Sequence, residues 1–356
     1  MWKSSRTWLL WGAVCLAGLA LPCRAAFQDP LDIPAVPSSL APRALQNGLA
    51  LAGKRLVSVG QRGYVLYSDD EGRSWTQARV PVSVDLTAVF FASPKRGWAV
   101  GHGGVVLMTE DAGASWIKQL DGRAIGKLLL GHYETQGPQG LGAEQFAQLQ
   151  ADARRMAEEG PDKPFLDVWF ESERIGYVVG LFNLIFKTTD GGQTWTPWME
   201  RTDNPGLAHI YAVRAVGDAL YLAGEQGLVL KLDRAAQRFK SVPTRYKGSF
   251  FGIVGKPGVV LVYGLRGHVF RSTNGGTSWQ KVETGISLGL TSAVIAADGR
   301  ILLGSQSGQV LVSSDDGVSF GHLQTDTQLP TAALIEMGGR TLVRAGARGI
   351  HTQALK

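Results

Sequence analysis

The sequence predicts an all-β fold, a seven-bladed propeller of four-stranded blades with one helical insertion, and two observations carry that prediction. The first is a phrase that recurs along the chain. Gly60 to Trp75 reads as a glycine turn, an apolar strand and a Ser-x-Asp-x-Gly-x-Ser-Trp hairpin, and copies run from Gly101 to Trp116, Gly180 to Trp195, Gly264 to Trp279 and Gly304 to Phe320. A worn copy spans Gly224 to Phe239, and a truncated one, Gly346 to Thr352, ends the series. The second is the period: the lead glycines are 41, 79, 44, 40, 40 and 42 residues apart. Steps of roughly 40 to 45 residues match one four-stranded blade, and the long step leaves room for an insertion between blades two and three.

Within a unit, Thr87–Phe91, Gly97–Val100, Val105–Met108 and Trp116–Lys118 read as four short strands separated by Gly, Pro and Asp turns. In the hairpin, the Asp carboxylate can accept backbone N–H bonds across its turn and Gly can take a positive φ. The hydroxyl bonds locally and the Trp buries between sheets, so these residues are scaffold. The last copy lacks a fourth strand. Phe27–Ser39 is the segment expected to supply it, at an edge position because of Pro30, Pro34 and Pro37.

Residues 1–25 read as a secretory signal peptide: Lys3 and Arg6 precede an apolar run from Thr7 to Leu21, and a small-residue site predicts cleavage after Ala25. The remaining residues, 26–356, are read as a single propeller on the periplasmic or lumenal side of a membrane. Both cysteines, Cys15 and Cys23, lie in the leader, so the mature chain has no disulfide, thiol nucleophile or cysteine metal site. The leader also holds three of the 36 basic residues and none of the 30 acidic ones, which leaves 33 against 30, a charge of +3, and no reason to expect nucleic-acid binding.

The insertion spans about residues 122–164. A helix is expected over Ala143–Glu159, with Phe146, Leu149, Ala153, Met156 and Ala157 at helical spacing and Gly160-Pro161 as its stop. The stripe either packs the helix on its own propeller or, with Leu128-Leu129-Leu130, docks a partner; Phe146, Leu149 and Met156 are the candidate contacts for the latter. Arg62, Arg266 and Arg348 occupy one repeat position, in the turn between second and third strands. Those turns share a face with the blade-to-blade connections, so the three form a second candidate partner surface.

Six scattered histidines show no metal-ligand spacing, and no cofactor or metal is expected. Gly317-Val318-Ser319-Phe320-Gly321 has the Gly-x-Ser-x-Gly form of serine hydrolases but falls within a hairpin copy, without the strand-to-helix elbow.

The Asp-hairpin repeat is similar to that of bacterial neuraminidases. That resemblance implies three substrate-binding arginines, a Tyr and Glu nucleophile pair and an acid/base carboxylate. No Arg-Ile-Pro entry motif is present, and Tyr211, Tyr221 and Tyr263 have no partner set legible in the sequence. The whole mature chain, with its Gly-x-x-Gly-to-Trp phrase and leader, more closely resembles the photosystem II stability and assembly factor family of seven-bladed propellers. The resemblance implies a non-enzymatic protein that binds a membrane protein or membrane complex and assists its assembly. It implies no small-molecule substrate, and outside photosynthetic organisms an inner-membrane transporter is one client class. A sialidase-like glycan-binding or glycan-hydrolysing propeller is the alternative, and a sortilin-like peptide-binding propeller is a third.

Overall fold

The computed structural model describes residues 28–135, 137 and 141–355; the leader lies outside them. Seven antiparallel sheets follow one another along the chain, six of four strands and the last of three. Blade one begins with Gln46–Ala52, blade two with Leu86–Phe91, blade three with Phe165–Phe170 and blade four with Ile210–Val216. Blades five, six and seven begin with Phe250–Lys256, Leu290–Ile295 and Ala333–Met337. The chain order inside every sheet is sequential, so each blade is a meander. The strands expected for blade two lie within two residues of those found, Leu86–Phe91, Gly97–Gly101, Val106–Thr109 and Ile117–Leu120.

The hairpins are built as their residue types dictate. Asp70 Oδ1 accepts from Ser68 Oγ at 2.8 Å and from the Ser74 N–H at 2.9 Å, and Oδ2 accepts from Ser74 Oγ at 2.6 Å. Gly72, at φ +84°, donates its N–H to Ser68 Oγ at 2.8 Å. The same set recurs around Asp111, Asp190 and Asp315, and blade five substitutes Asn274. Trp116 and Trp195 are buried between sheets, whereas Trp75 and Trp279 are only half-buried.

Closure differs from the expected strand exchange. The seventh sheet, Ala333–Met337, Thr341–Gly346 and Gly349–Ala354, has no fourth strand among the described residues. Residues 30–35 run instead beside blades one and two, where the Ala35 N–H donates to Val80 O at 3.0 Å and the Ser83 N–H to Pro30 O at 2.8 Å. Asp32 is clamped by Arg123 at 2.7 and 2.8 Å. Three prolines without N–H donors suit an isolated crossing better than a ladder. Blades seven and one meet face to face through Leu56, Ile335 and Val343, and Thr352 Oγ1 donates to Gly72 O at 3.1 Å.

The insertion is a helical hairpin. α1, Gly122–Thr135, was not expected; it carries Gly122, Gly126 and Gly131, which depress helix propensity. Packing explains one of them: a Cβ on Gly126 would lie 2.4 Å from Ala157 Cα, so glycine permits the close crossing with α2, Ala143–Glu159. α2 matches its expected range. Ile125, Leu129, Tyr133, Leu149, Ala153 and Met156 join the largest apolar cluster, which extends through blades two, three and four. Among the described residues no helix is long and apolar enough to cross a membrane.

Candidate functional site: the insertion face and the channel mouth

The innermost strand of each blade borders a central channel of about 230 Å³. Blades one to six share one irregularity there. The pairing of the first strand with the second slips by one residue at Gln46/Gly48, Leu86/Ala88, Ile210/Ala212, Phe250/Gly252 and Leu290/Ser292, and in blade three between Phe165 and Asp167. The residue left over in each case, Asn47, Thr87, Leu166, Tyr211, Phe251 and Thr291, lines the channel. A bulge re-aims a side chain out of the sheet, and here repetition turns that local defect into a ring. Several members also tie neighbouring blades together: Asn47 Nδ2 donates to Leu86 O at 2.8 Å and Thr87 Oγ1 to Phe165 O at 2.8 Å.

The ring is two-sided. Asn47, Thr87 and Thr291 make it polar on blades one, two and six, while Leu166, Tyr211 and Phe251 make it apolar on blades three to five. The apolar arc continues outward: Phe251 meets Tyr211 at 5.7 Å, Tyr211 meets His209 at 6.4 Å, and His209 meets Phe182 at 4.5 Å, all edge to face. Phe182 is 40% exposed and holds φ +52°, a left-handed conformation costly for a bulky side chain. Its N–H donates to His209 Nδ1 at 2.9 Å, which fixes that nitrogen as the acceptor. Within the channel, Asp167 is buried and accepts from Arg214 Nη1 at 2.5 Å and from the Val213 N–H at 2.8 Å. Burial pushes the Asp167 carboxyl up, and the Arg214 guanidinium opposes that shift.

Of the sequence-predicted residues, Arg62, Arg266 and Arg348 are all exposed in turns between second and third strands. Arg62 and Arg266 share a left-handed turn at φ +54° and +57°, with the following glycine also left-handed. The turn of Arg348 is tighter, and only Gly349 is left-handed there. None of the three guanidinium groups forms an ion pair with a described residue. The insertion sits on the same face, since a Cβ on Gly104, in the matching turn of blade two, would lie 2.7 Å from Ile125 and 3.1 Å from Gly122. Phe182 occupies the Arg62 position of the corresponding turn in blade three. The structure places Leu149 and Met156 inside the apolar cluster and leaves Phe146 half-buried against Tyr133 of α1, so the stripe faces this protein's own residues, chiefly α1.

Tyr211 has a partner that the sequence did not reveal: its hydroxyl donates to Glu225 Oε1 at 3.2 Å. Burial and the Glu225 charge push this phenol up to about 12. Among the described residues, Arg214 is the single arginine lining the channel. No cluster of three His, Cys, Asp or Glu suited to a metal occurs among the described residues. The bulge ring and the aromatic arc escaped the sequence reading. A residue at the start of each innermost strand that breaks the two-residue alternation was the available signal.

Residues 155–285 match the family described as photosynthesis system II assembly factor YCF48. Among solved structures, YCF48 bound to a D1 peptide is 14% identical and superposes with a TM-score of 0.63 over 91% of this chain and 99% of that one. YCF48 from Cyanidioschyzon merolae is 14% identical, with a TM-score of 0.62 over 90% and 97%. The WD40 propeller domain of Doa1 reaches 0.61 at 9% identity over 92% and 96%, so the blade architecture is shared well beyond one role. No curated protein matches the sequence. The family match is carried by residues 155–285 and the fold likeness by nearly the whole chain, so the chain is a β-propeller that is similar in fold to YCF48.

Proposed function

We propose that this chain is an exported, non-enzymatic propeller that binds a polypeptide segment of a membrane protein or membrane complex at the insertion face and assists its assembly. The observation that carries the reading is the channel mouth: an apolar, aromatic arc beside a polar arc, on the face that bears three unpaired arginines. An extended chain needs such a surface, with apolar pockets for side chains and donors for carbonyls and carboxylates. The D1 peptide bound to a YCF48 of the same fold supports a peptide as ligand. An inner-membrane transport complex is one client class within this reading.

The test is affinity purification of the tagged protein from membranes. Intact mass should show a chain that begins at Ala26, as the leader implies. The triple variant Arg62→Glu, Arg266→Glu, Arg348→Glu should leave thermal unfolding nearly unchanged, because all three side chains are exposed, and should reduce client recovery most at low salt. Capture of the same partners at wild-type yield by this variant would place binding elsewhere.

One observation favours the glycan-cleaving alternative, the Tyr211–Glu225 hydrogen bond near the channel. A phenol pushed up to about 12, with a single channel-lining arginine tied to Asp167, is a poor match for the neuraminidase set. Fluorogenic sialosides should therefore not be cleaved, and turnover that Tyr211→Phe abolishes would overturn the non-enzyme reading.

A further inference from the structure

A second cavity lies away from the channel, between α2 and the connection from blade three to blade four. It measures about 530 Å³, within the range of small-ligand pockets. One face of α2 forms a wall, with Gln145, Gln148, Leu149 and Asp152 at helical spacing; Met199, Thr202, Pro205 and Leu207 form the opposite side. This opposite wall is held rigidly. Asn183 is left-handed at φ +60°, Asn183 Nδ2 donates to Met199 O at 3.1 Å, and Asn183 Oδ1 accepts from Thr202 Oγ1 at 3.1 Å and Asn204 Nδ2 at 3.0 Å. Blades one, two, four and five carry a left-handed glycine at the equivalent turn position, where blade three has the asparagine that bonds across this wall.

The charge of the cavity is unbalanced in its commitments. Its lining includes four carboxylates, Glu144, Asp152, Glu200 and Asp203, against one basic side chain, Arg238. All three guanidinium nitrogens of Arg238 are already engaged, by Asp203 Oδ1 at 2.8 Å, Glu200 O at 2.8 Å and Thr202 O at 3.0 Å. Glu200 is spoken for as well, by Tyr133, His132 and Arg201. Asp152 is different. It is only 3% exposed; Oδ1 meets Arg155 at 2.8 Å and Gln148 at 3.2 Å, while Oδ2 is buried and has no partner among the described residues. A buried carboxylate oxygen without a donor is unfavourable, and a ligand N–H is the group that would complete it. Leu149 and Met199, in the same cavity lining, supply apolar surface for a short hydrocarbon stem.

We infer that this cavity is a binding site for an organic cation, a primary ammonium or guanidinium on an apolar stem, with Asp152 as its carboxylate receptor. The source is either a free amine or a lysine or arginine side chain of a bound polypeptide, which present the same head and stem. The site is independent of the channel-mouth reading and shares none of its residues.

Isothermal titration of the full exported protein with pentylammonium, with the tripeptide Gly-Lys-Gly and with uncharged pentanol tests it. One saturable site for at least one of the two cations is expected, and none for pentanol. Asp152→Asn keeps the shape and removes the charge, and should weaken cation binding about tenfold or more, the usual effect of losing a charge-assisted hydrogen bond. Gln145→Trp, an exposed wall position, should block the cavity without touching the buried carboxylate, and keeps the question answerable if Asp152→Asn does not fold. Tighter binding of the tripeptide identifies a side chain as the source, and tighter binding of pentylammonium a free amine; either supports the site. Absence of saturable binding by both cations, equal binding of pentanol, or unchanged cation affinity in the variants would overturn it.

Discussion

Replacing Trp98 separates the two forces that join blade two to blade three. Trp98 is fully buried and lies flat on Phe170, with centroids 3.5 Å apart and planes 8° from parallel. Its indole N–H is also buried without a hydrogen-bond partner among the described residues. Trp98→Ala removes the stack and opens a cavity between blades, for an expected loss of about 3 to 5 kcal/mol. Trp98→Phe keeps an aromatic face on Phe170 and eliminates the unsatisfied N–H, whose burial costs about 1 to 3 kcal/mol. Against that stands the smaller cavity left by the lost ring atoms, about 1 kcal/mol at roughly 24 cal/mol per Å³. The two effects offset, so Trp98→Phe should stay within about 1 kcal/mol of wild type. Urea unfolding followed by far-UV circular dichroism measures both variants, with unchanged slope as the check that the transition is still the same one. A loss for Trp98→Phe as large as for Trp98→Ala would refute the argument, since stacking and N–H burial would then not oppose each other.

Two further predictions follow from local chemistry. The hairpin hydrogen bonds hold Asp70 and Asp315 well below the usual carboxylate range, Asp315 at about 2, and Asp111 and Asp190 are lowered in spite of burial that opposes it. Groups depressed in the folded state contribute stability above their unfolded value near 3.8 and lose it as pH falls through the folded one, so acid should weaken the fold between about pH 4 and 2. Amide exchange at Gly72 and Gly317 should accelerate in that window while Gly276, beside the non-titrating Asn274, changes less; uniform acceleration would contradict the assignment. Gly126→Val forces α1 off Ala157, and should loosen the helical hairpin and erase the cation cavity while the seven blades persist. Limited proteolysis that cuts first within residues 122–164 would agree; first cleavage within the blades would not.

The recurring phrase was sufficient to state the number of blades, their boundaries and the hairpin chemistry, because each of those is decided within about 16 residues of chain. The Asp, Gly and hydroxyl residues make their bonds to one another and need no distant partner. Helix α2 was legible for the same reason, its apolar stripe and Gly-Pro stop being local. What the sequence could not decide is everything that depends on neighbours. Whether Leu149 and Met156 faced a partner or their own protein turned on α1, whose glycines argue against a helix until Gly126 is seen touching Ala157. The N-terminal prolines suggested an edge strand, and only the packed blades show that their crossing lies along blades one and two. The bulge ring is the clearest case. Asn47, Thr87, Leu166, Tyr211, Phe251 and Thr291 have no residue type common to all and sit 40 or more residues apart, and only closing seven sheets around one axis turns six local register slips into a single surface.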